Sequence, residues 1–170
     1  MKLLLLFIVF TTLSSGMFSQ QKIKWTEKRK LSFDDFRGDI GVSTAAAVSS
    51  VIIRYEIVSQ SIWTGRIKIK IFAAFDTSSS WIKPEFKSPR LLAHEQGHFD
   101  ITEIFSRKLQ KKVDEEIKGV KDFSQKFQKM YDDLYNEHYQ YQTQYEIDTD
   151  NGRHEENQEK YNTSIREMLL

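Results

Sequence analysis

The sequence predicts an α+β domain in which a small antiparallel sheet precedes one long helix and two further helices. Three observations predict it. Residues 51–56 and 66–75 alternate as half-buried strands do, with Val51, Ile53 and Tyr55 set against Ile52, Arg54 and Glu56, and Ile67, Ile69 and Ile71 against Lys68 and Lys70. After Leu91 the period becomes helical, with Ile101, Phe105, Leu109, Val113 and Ile117 each four positions apart. A second helical stripe, Phe123, Phe127, Met130, Tyr131, Leu134, Tyr135 and His138, is followed by a polar break and a last helical segment.

The 170 residues suggest one domain behind a leader. Lys2, the apolar run Leu3 to Phe10 and the small residues up to Gly16 predict a secretory signal peptide, residues 1–20, with cleavage between Gly16 and Gln21. Residues 21–170 then form a single exported domain, in the periplasm or outside the cell. The apolar run is too short to span a bilayer, so no stable membrane span remains after cleavage; an uncleaved signal anchor is the alternative. The chain has no cysteine, which excludes disulfides and a lipid anchor on an N-terminal Cys. Net charge is +1 with both signs interspersed, which argues against nucleic acid as a partner. The cluster Lys22, Lys24, Lys28, Arg29 and Lys30 reads as solvated strand and loop residues.

The first segment, residues 22–40, carries Trp25, Leu31, Phe33 and Phe36, with a capped turn at Ser32 to Phe36 ended by Gly38. Residues 42–59 predict a strand, in which Ala45, Ala46 and Ala47 fit a buried strand entry or a short helix equally well. A turn over 60–65 leads to the clearest strand, 66–75, forming an antiparallel hairpin or meander with one face toward helices and one toward water. Residues 76–84 predict a loop, with Trp81 packing near the base of the next helix. Ser88 and Pro89 form an N-cap and a first helical position. The helix they open is expected from Arg90 to about Lys118, with Gly119 as its C′ residue. The second helix is expected over residues 122–144, a break over 147–153, and the last helix from His154 to Met168.

The long helix carries His94, Glu95 and His98 in the pattern H-E-x-x-H. At 3.6 residues per turn, four residues advance about 400°, so both imidazoles share one face and can close on a single ion. That face continues the stripe of Leu91, Ile101 and Phe105, so it turns inward. Zinc (Zn2+) suits neutral imidazole nitrogen and keeps a position for water, whose proton Glu95 can take without being a ligand. Gly97 costs roughly 1 kcal/mol against Ala in mid-helix, which points to a close approach, for instance of another backbone. The plainer alternative is a helix with two partly buried histidines and a solvated Glu. A catalytic zinc needs a third protein ligand. Glu103 lies about 140° around from His98 and is better placed to pair with Arg107, while Asp100 lies about 200° around. The ligand must come from another segment: His138, Asp148, Asn151 or His154, with His154 favoured and Asp148 next.

The strings Lys30-Leu31-Ser32-Phe33-Asp34-Asp35-Phe36-Arg37-Gly38, Ser80-Trp81-Ile82-Lys83 and Leu91-Leu92-Ala93-His94-Glu95-Gln96-Gly97-His98-Phe99-Asp100-Ile101, with Tyr145, Thr149, Gly152, Gln158, Tyr161 and Ile165, resemble the DUF922 group of secreted bacterial zinc-dependent proteases. The resemblance covers most of the mature chain. It implies a zincin-like fold and a zinc metallopeptidase with His94 and His98 as ligands, Glu95 as the catalytic carboxylate and a peptide or protein as substrate. The family's late motif reads Tyr-Asp-x-x-Thr-x-His-Gly; here Asn151 takes the His position, and a histidine, His154, follows Gly152. Either His154 has taken over that role or it has been lost. In the first case one of Tyr139, Tyr141 or Tyr145 is expected at the oxyanion, and the 66–75 strand is expected to pair with an extended peptide. In the second the protein is a non-catalytic envelope binding module on the same scaffold. Hydrolysis of a non-peptide envelope substrate is a third possibility.

Overall fold

The alternating residues of Ile67–Asp76 (β4) build the centre of the sheet. Ile69, Ile71, Ala73 and Phe75 are buried on one face, because successive strand side chains point to opposite sides and this set meets the helices. The computed structural model describes residues 22–170, so the predicted signal peptide lies outside the described residues. Val51–Gln60 (β3) pairs antiparallel with β4, setting Ile53 opposite Ala73, Tyr55 opposite Ile71 and Ile57 opposite Ile69, with an irregularity between Ile57 and Ser59. Lys22–Lys24 (β1) pairs with the far end of β4, giving the order β1-β4-β3. A separate two-stranded ladder joins Ala47–Val48 (β2) to Trp81–Ile82 (β5). The three-alanine run is thus a strand entry at Ala47, and Trp81 lies buried in a strand where a loop was expected.

Pro89–Glu116 (α1) lies across the sheet, and Val120–Thr149 (α2) and Glu155–Leu169 (α3) pack against it. The four-residue stripe of α1 is the core: Ile101, Phe105, Leu109 and Val113 meet Ile53, Ile69 and Ile71 of the sheet, Phe127 and Leu134 of α2, and Ile165 of α3. Each such side chain contributes about 1.5–3 kcal/mol on burial. Gly119 is not a left-handed helix stop. It is extended and precedes α2, where Val120 N donates to Gly65 O of the hairpin turn at 2.8 Å.

The 66–75 strand is not free to take a peptide. It is central, and the edge that β1 leaves uncovered is closed by side chains of α1. Ile71 N donates to Gln110 Oε1 at 2.8 Å, Gln110 Nε2 donates to Ile69 O at 3.3 Å, and Ala73 N donates to Glu103 Oε2 at 3.3 Å. The end strand is β3, one of whose carbonyls, Ile53 O, accepts from the Tyr131 hydroxyl at 2.8 Å.

α2 also departs from expectation, because it continues past Gln144 to Thr149. The polar string that reads as a loop is held helical by its partners: Gln144 Nε2 and the Tyr161 hydroxyl both donate to the Asp148 carboxylate at 2.7 Å, and Thr149 Oγ1 donates to Tyr145 O at 2.6 Å. The chain then reverses through Asp150, Asn151 and Gly152, all with positive φ.

The segment before β2 is strapped to α1. Trp25 Nε1 donates to Asp100 Oδ1 at 2.6 Å, and Leu31 N donates to Gln96 Oε1 at 2.7 Å. Four of its basic residues are ion-paired: Lys22 with Asp76, Lys24 with Glu56, Arg29 with Asp35 and Lys30 with Asp100. Among the described residues no helix is long and apolar enough to cross a membrane.

Candidate metal centre

Ser88 Oγ accepts from Leu91 N at 3.2 Å and starts α1 as its sequence predicts. One turn on, His94, Glu95 and His98 are all buried. The two Nε2 atoms lie 3.2 Å apart and face the last turns of α2. From there Glu146 brings its carboxylate, with Oε1 3.0 Å from His98 Nε2 and Oε2 3.4 Å from His94 Nε2. One donor atom from each of His94, His98 and Glu146 can be chosen so that all lie within 4.8 Å of one another.

The donor set fits zinc. Bonds of about 2.0–2.1 Å at tetrahedral angles place neighbouring ligand atoms about 3.3 Å apart; the two imidazole nitrogens are 3.2 Å apart, and each has a different oxygen of the Glu146 carboxylate near it, at 3.0 Å for His98 and 3.4 Å for His94. Glu146 Oε2 is buried without a hydrogen-bond partner, a state that costs about 1–3 kcal/mol unless a cation satisfies it. Two imidazoles and one carboxylate are also the three-ligand count of catalytic zinc sites. Burial pushes the Glu146 carboxyl up, but the two imidazoles outweigh it and hold the group well below the usual carboxylate range. Burial likewise pushes the His98 imidazolium down, and Glu146 with Glu95 reverses this, so the ring sits above its ordinary value.

Tyr145, the residue before Glu146, builds the floor. Its ring stacks on His94 at 4.7 Å and 14° and meets His98 edge-on at 4.9 Å. Its hydroxyl donates to His94 O at 3.1 Å. Gly97 is required because a Cβ there would lie 2.3 Å from that hydroxyl oxygen; the close neighbour is a side chain rather than another backbone. Gly152 closes over the other side of His94: its φ is 77°, and a Cβ would come within 2.8 Å of the ring. Glu95 stands outside the ligand trio, with Oε2 accepting from Ser49 Oγ at 2.6 Å, in the link between β2 and β3.

The structure does not bring the favoured third ligand to the histidine pair. His154 is exposed and caps α3, its Nδ1 accepting from Asn157 N at 3.3 Å, and it is not in the ligand trio. Asp148 is committed to Tyr161 and Gln144, and Asn151 is an exposed left-handed turn residue. His138 is buried beside Thr102 and Gln142, with Nε2 3.0 Å from each, and burial, helped by His98, pushes it down to about 4. Of the tyrosines expected at an oxyanion, Tyr145 is committed to His94 O, Tyr141 packs against Phe105 and Tyr161, and Tyr139 is exposed. Glu146 escapes a reading of the sequence that ends α2 at Gln144. The available signal is its place directly after Tyr145, where the late motif has an acid.

No family model matches the chain, and comparison with curated proteins and with solved structures yields no match.

Proposed function

We propose that this protein is an exported zinc metallopeptidase of zincin-like, DUF922 type, with His94, His98 and Glu146 as the metal ligands and Glu95 as the catalytic carboxylate. The convergence of two buried imidazoles and a carboxylate oxygen without a hydrogen bond, beside a second carboxylate outside the trio, carries the reading. A zinc ion held by His94, His98 and Glu146 would supply Lewis acidity and would make a water molecule beside Glu95 a far stronger acid than bulk water. Glu95 takes the proton the water gives up and passes it to the leaving amine. Ser49 donates to Oε2 of that carboxylate and restrains its orientation. Export rests on Lys2 and the apolar run Leu3 to Phe10.

The rival reading, a non-catalytic envelope binding module, draws on Asn151 standing in place of a histidine and on the helical, aromatic C-terminal part. Glu146 offers a third donor without Asn151, which weakens the first of these grounds and leaves the second. The deciding experiment measures zinc content and cleavage of a peptide library together. One zinc per chain with hydrolysis in the wild type, and zinc without hydrolysis in Glu95→Gln, supports the peptidase. Equal hydrolysis by both proteins would overturn the role of Glu95, and zinc with no hydrolysis at all would favour the module.

A further inference from the structure

We infer that Gln142 and Gln158 set the proton positions on the two histidines of the site, holding both rings as Nδ1–H tautomers with Nε2 bare. This rests on the metal reading only for its purpose; the geometry stands without it.

Each ring has its Nδ1 against a glutamine carbonyl oxygen, His98 with Gln142 Oε1 at 2.5 Å and His94 with Gln158 Oε1 at 2.9 Å. An amide has two faces, so its orientation must be shown. For Gln142 it follows from His98 O, a carbonyl that can only accept, which lies 2.9 Å from Gln142 Nε2. Thr102 Oγ1 and His138 Nε2 lie 3.2 and 3.0 Å from the same nitrogen and hold it further. For Gln158 two neighbours fix it. The Tyr145 hydroxyl spends its proton on His94 O and therefore accepts from Gln158 Nε2, at 2.8 Å. Asn162 donates to the Glu159 carboxylate at 3.2 Å, which leaves its Oδ1 to accept from Gln158 Nε2 at 2.9 Å.

Both chains thus end on groups that only accept, and both present an oxygen to Nδ1. An oxygen there demands the proton, so Nε2 keeps its lone pair. The result has a cost in the metal-free protein. Bare nitrogens 3.2 Å apart face each other and the Glu146 carboxylate, which by itself favours the opposite tautomer, a proton on Nε2. The glutamines therefore position the ligands against the local pull, the arrangement that orients metal-binding histidines.

The test reads ring nitrogen shifts by long-range 1H–15N NMR in metal-free full-length protein at alkaline pH, and zinc Kd by chelator competition. The expected result is Nδ1–H on both histidines in the wild type. Gln142→Met and Gln158→Met keep the volume, lose the oxygen, shift their own histidine toward Nε2–H and weaken zinc about 10–100-fold each. Gln142→Glu and Gln158→Glu retain an acceptor and restore the Nδ1–H signature. Nε2–H rings in the wild type, or Met variants with unchanged tautomers and Kd, would overturn the inference. Failure of the wild type to bind zinc would sink the metallopeptidase reading while the tautomer measurement still decides this one.

Discussion

The hydroxyl of Tyr145 occupies the space a side chain at position 97 would need: a Cβ on Gly97 would lie 2.3 Å from that oxygen and 2.9 Å from Cζ. Tyr145 cannot retreat, because its hydroxyl is bonded to His94 O and Gln158 and its ring is stacked on His94. Gly97→Ala gains roughly 1 kcal/mol of helix propensity but forces the crowding that costs about 1–3 kcal/mol in packed cores. The expected outcome is a lower Tm and weaker zinc binding. Adding Tyr145→Phe removes the nearest atom and is expected to recover part of the loss, and a double-mutant cycle followed by thermal denaturation measures that coupling.

The proposed metal site sets opposite expectations for Glu146 and His154. Glu146→Gln removes the charge from a ligand of the same size and is expected to weaken zinc at least about tenfold. His154→Ala removes only a helix cap, for about 0.5–2 kcal/mol of stability, and leaves one zinc per chain. Metal content and titration of the two variants check the ranking; the reverse order would return the third donor to the turn after α2.

The facing pair Glu146 and His98 makes the metal-free protein pH-sensitive. Burial opposes both charges and the pairing outweighs it, so the carboxyl lies below its ordinary 4.5 and the imidazole above its ordinary 6.5. A raised imidazole contributes stability that is full below its unfolded value and lost as pH rises through its folded value; the lowered carboxyl stays charged throughout that range. The pair's contribution to Tm is therefore expected to fall as pH rises above about 6.5, the ordinary imidazole value. His138, pushed to about 4, is neutral in folded and unfolded chains there and adds nothing. Zinc takes neutral imidazoles, so its Tm gain grows over the same range. Thermal denaturation with chelator and with zinc, compared with Glu146→Gln, checks both slopes.

Asp100 lies within the motif string but holds the N-terminal strap, accepting from Trp25 Nε1 and Gln96 Nε2. Asp100→Ala leaves the buried Trp25 N–H unpaired, at about 1–3 kcal/mol. The expected outcome is a lower Tm and a red-shifted tryptophan emission, with zinc content unchanged.

Much of this architecture was legible in residues close together along the chain. Ser88 caps the helix it was expected to cap, the isoleucines of β4 face the core, and Glu103 meets Arg107 at 3.1 Å. These features depend on one helical turn or one strand repeat, so spacing alone determines them. The placing of His94 and His98 on one inward face belongs to the same class. The third donor does not. Asp148 and Thr149 look like loop residues until Tyr161, Gln144 and the Tyr145 carbonyl hold them in helix, and only that extra turn gives Glu146 a helical position facing α1. Covalent spacing sets the geometry of the histidine pair and its neighbouring carboxylate; what joins them depends on the packing of α1 against α2 and α3, which brings together groups whose separation along the chain carries no distance information.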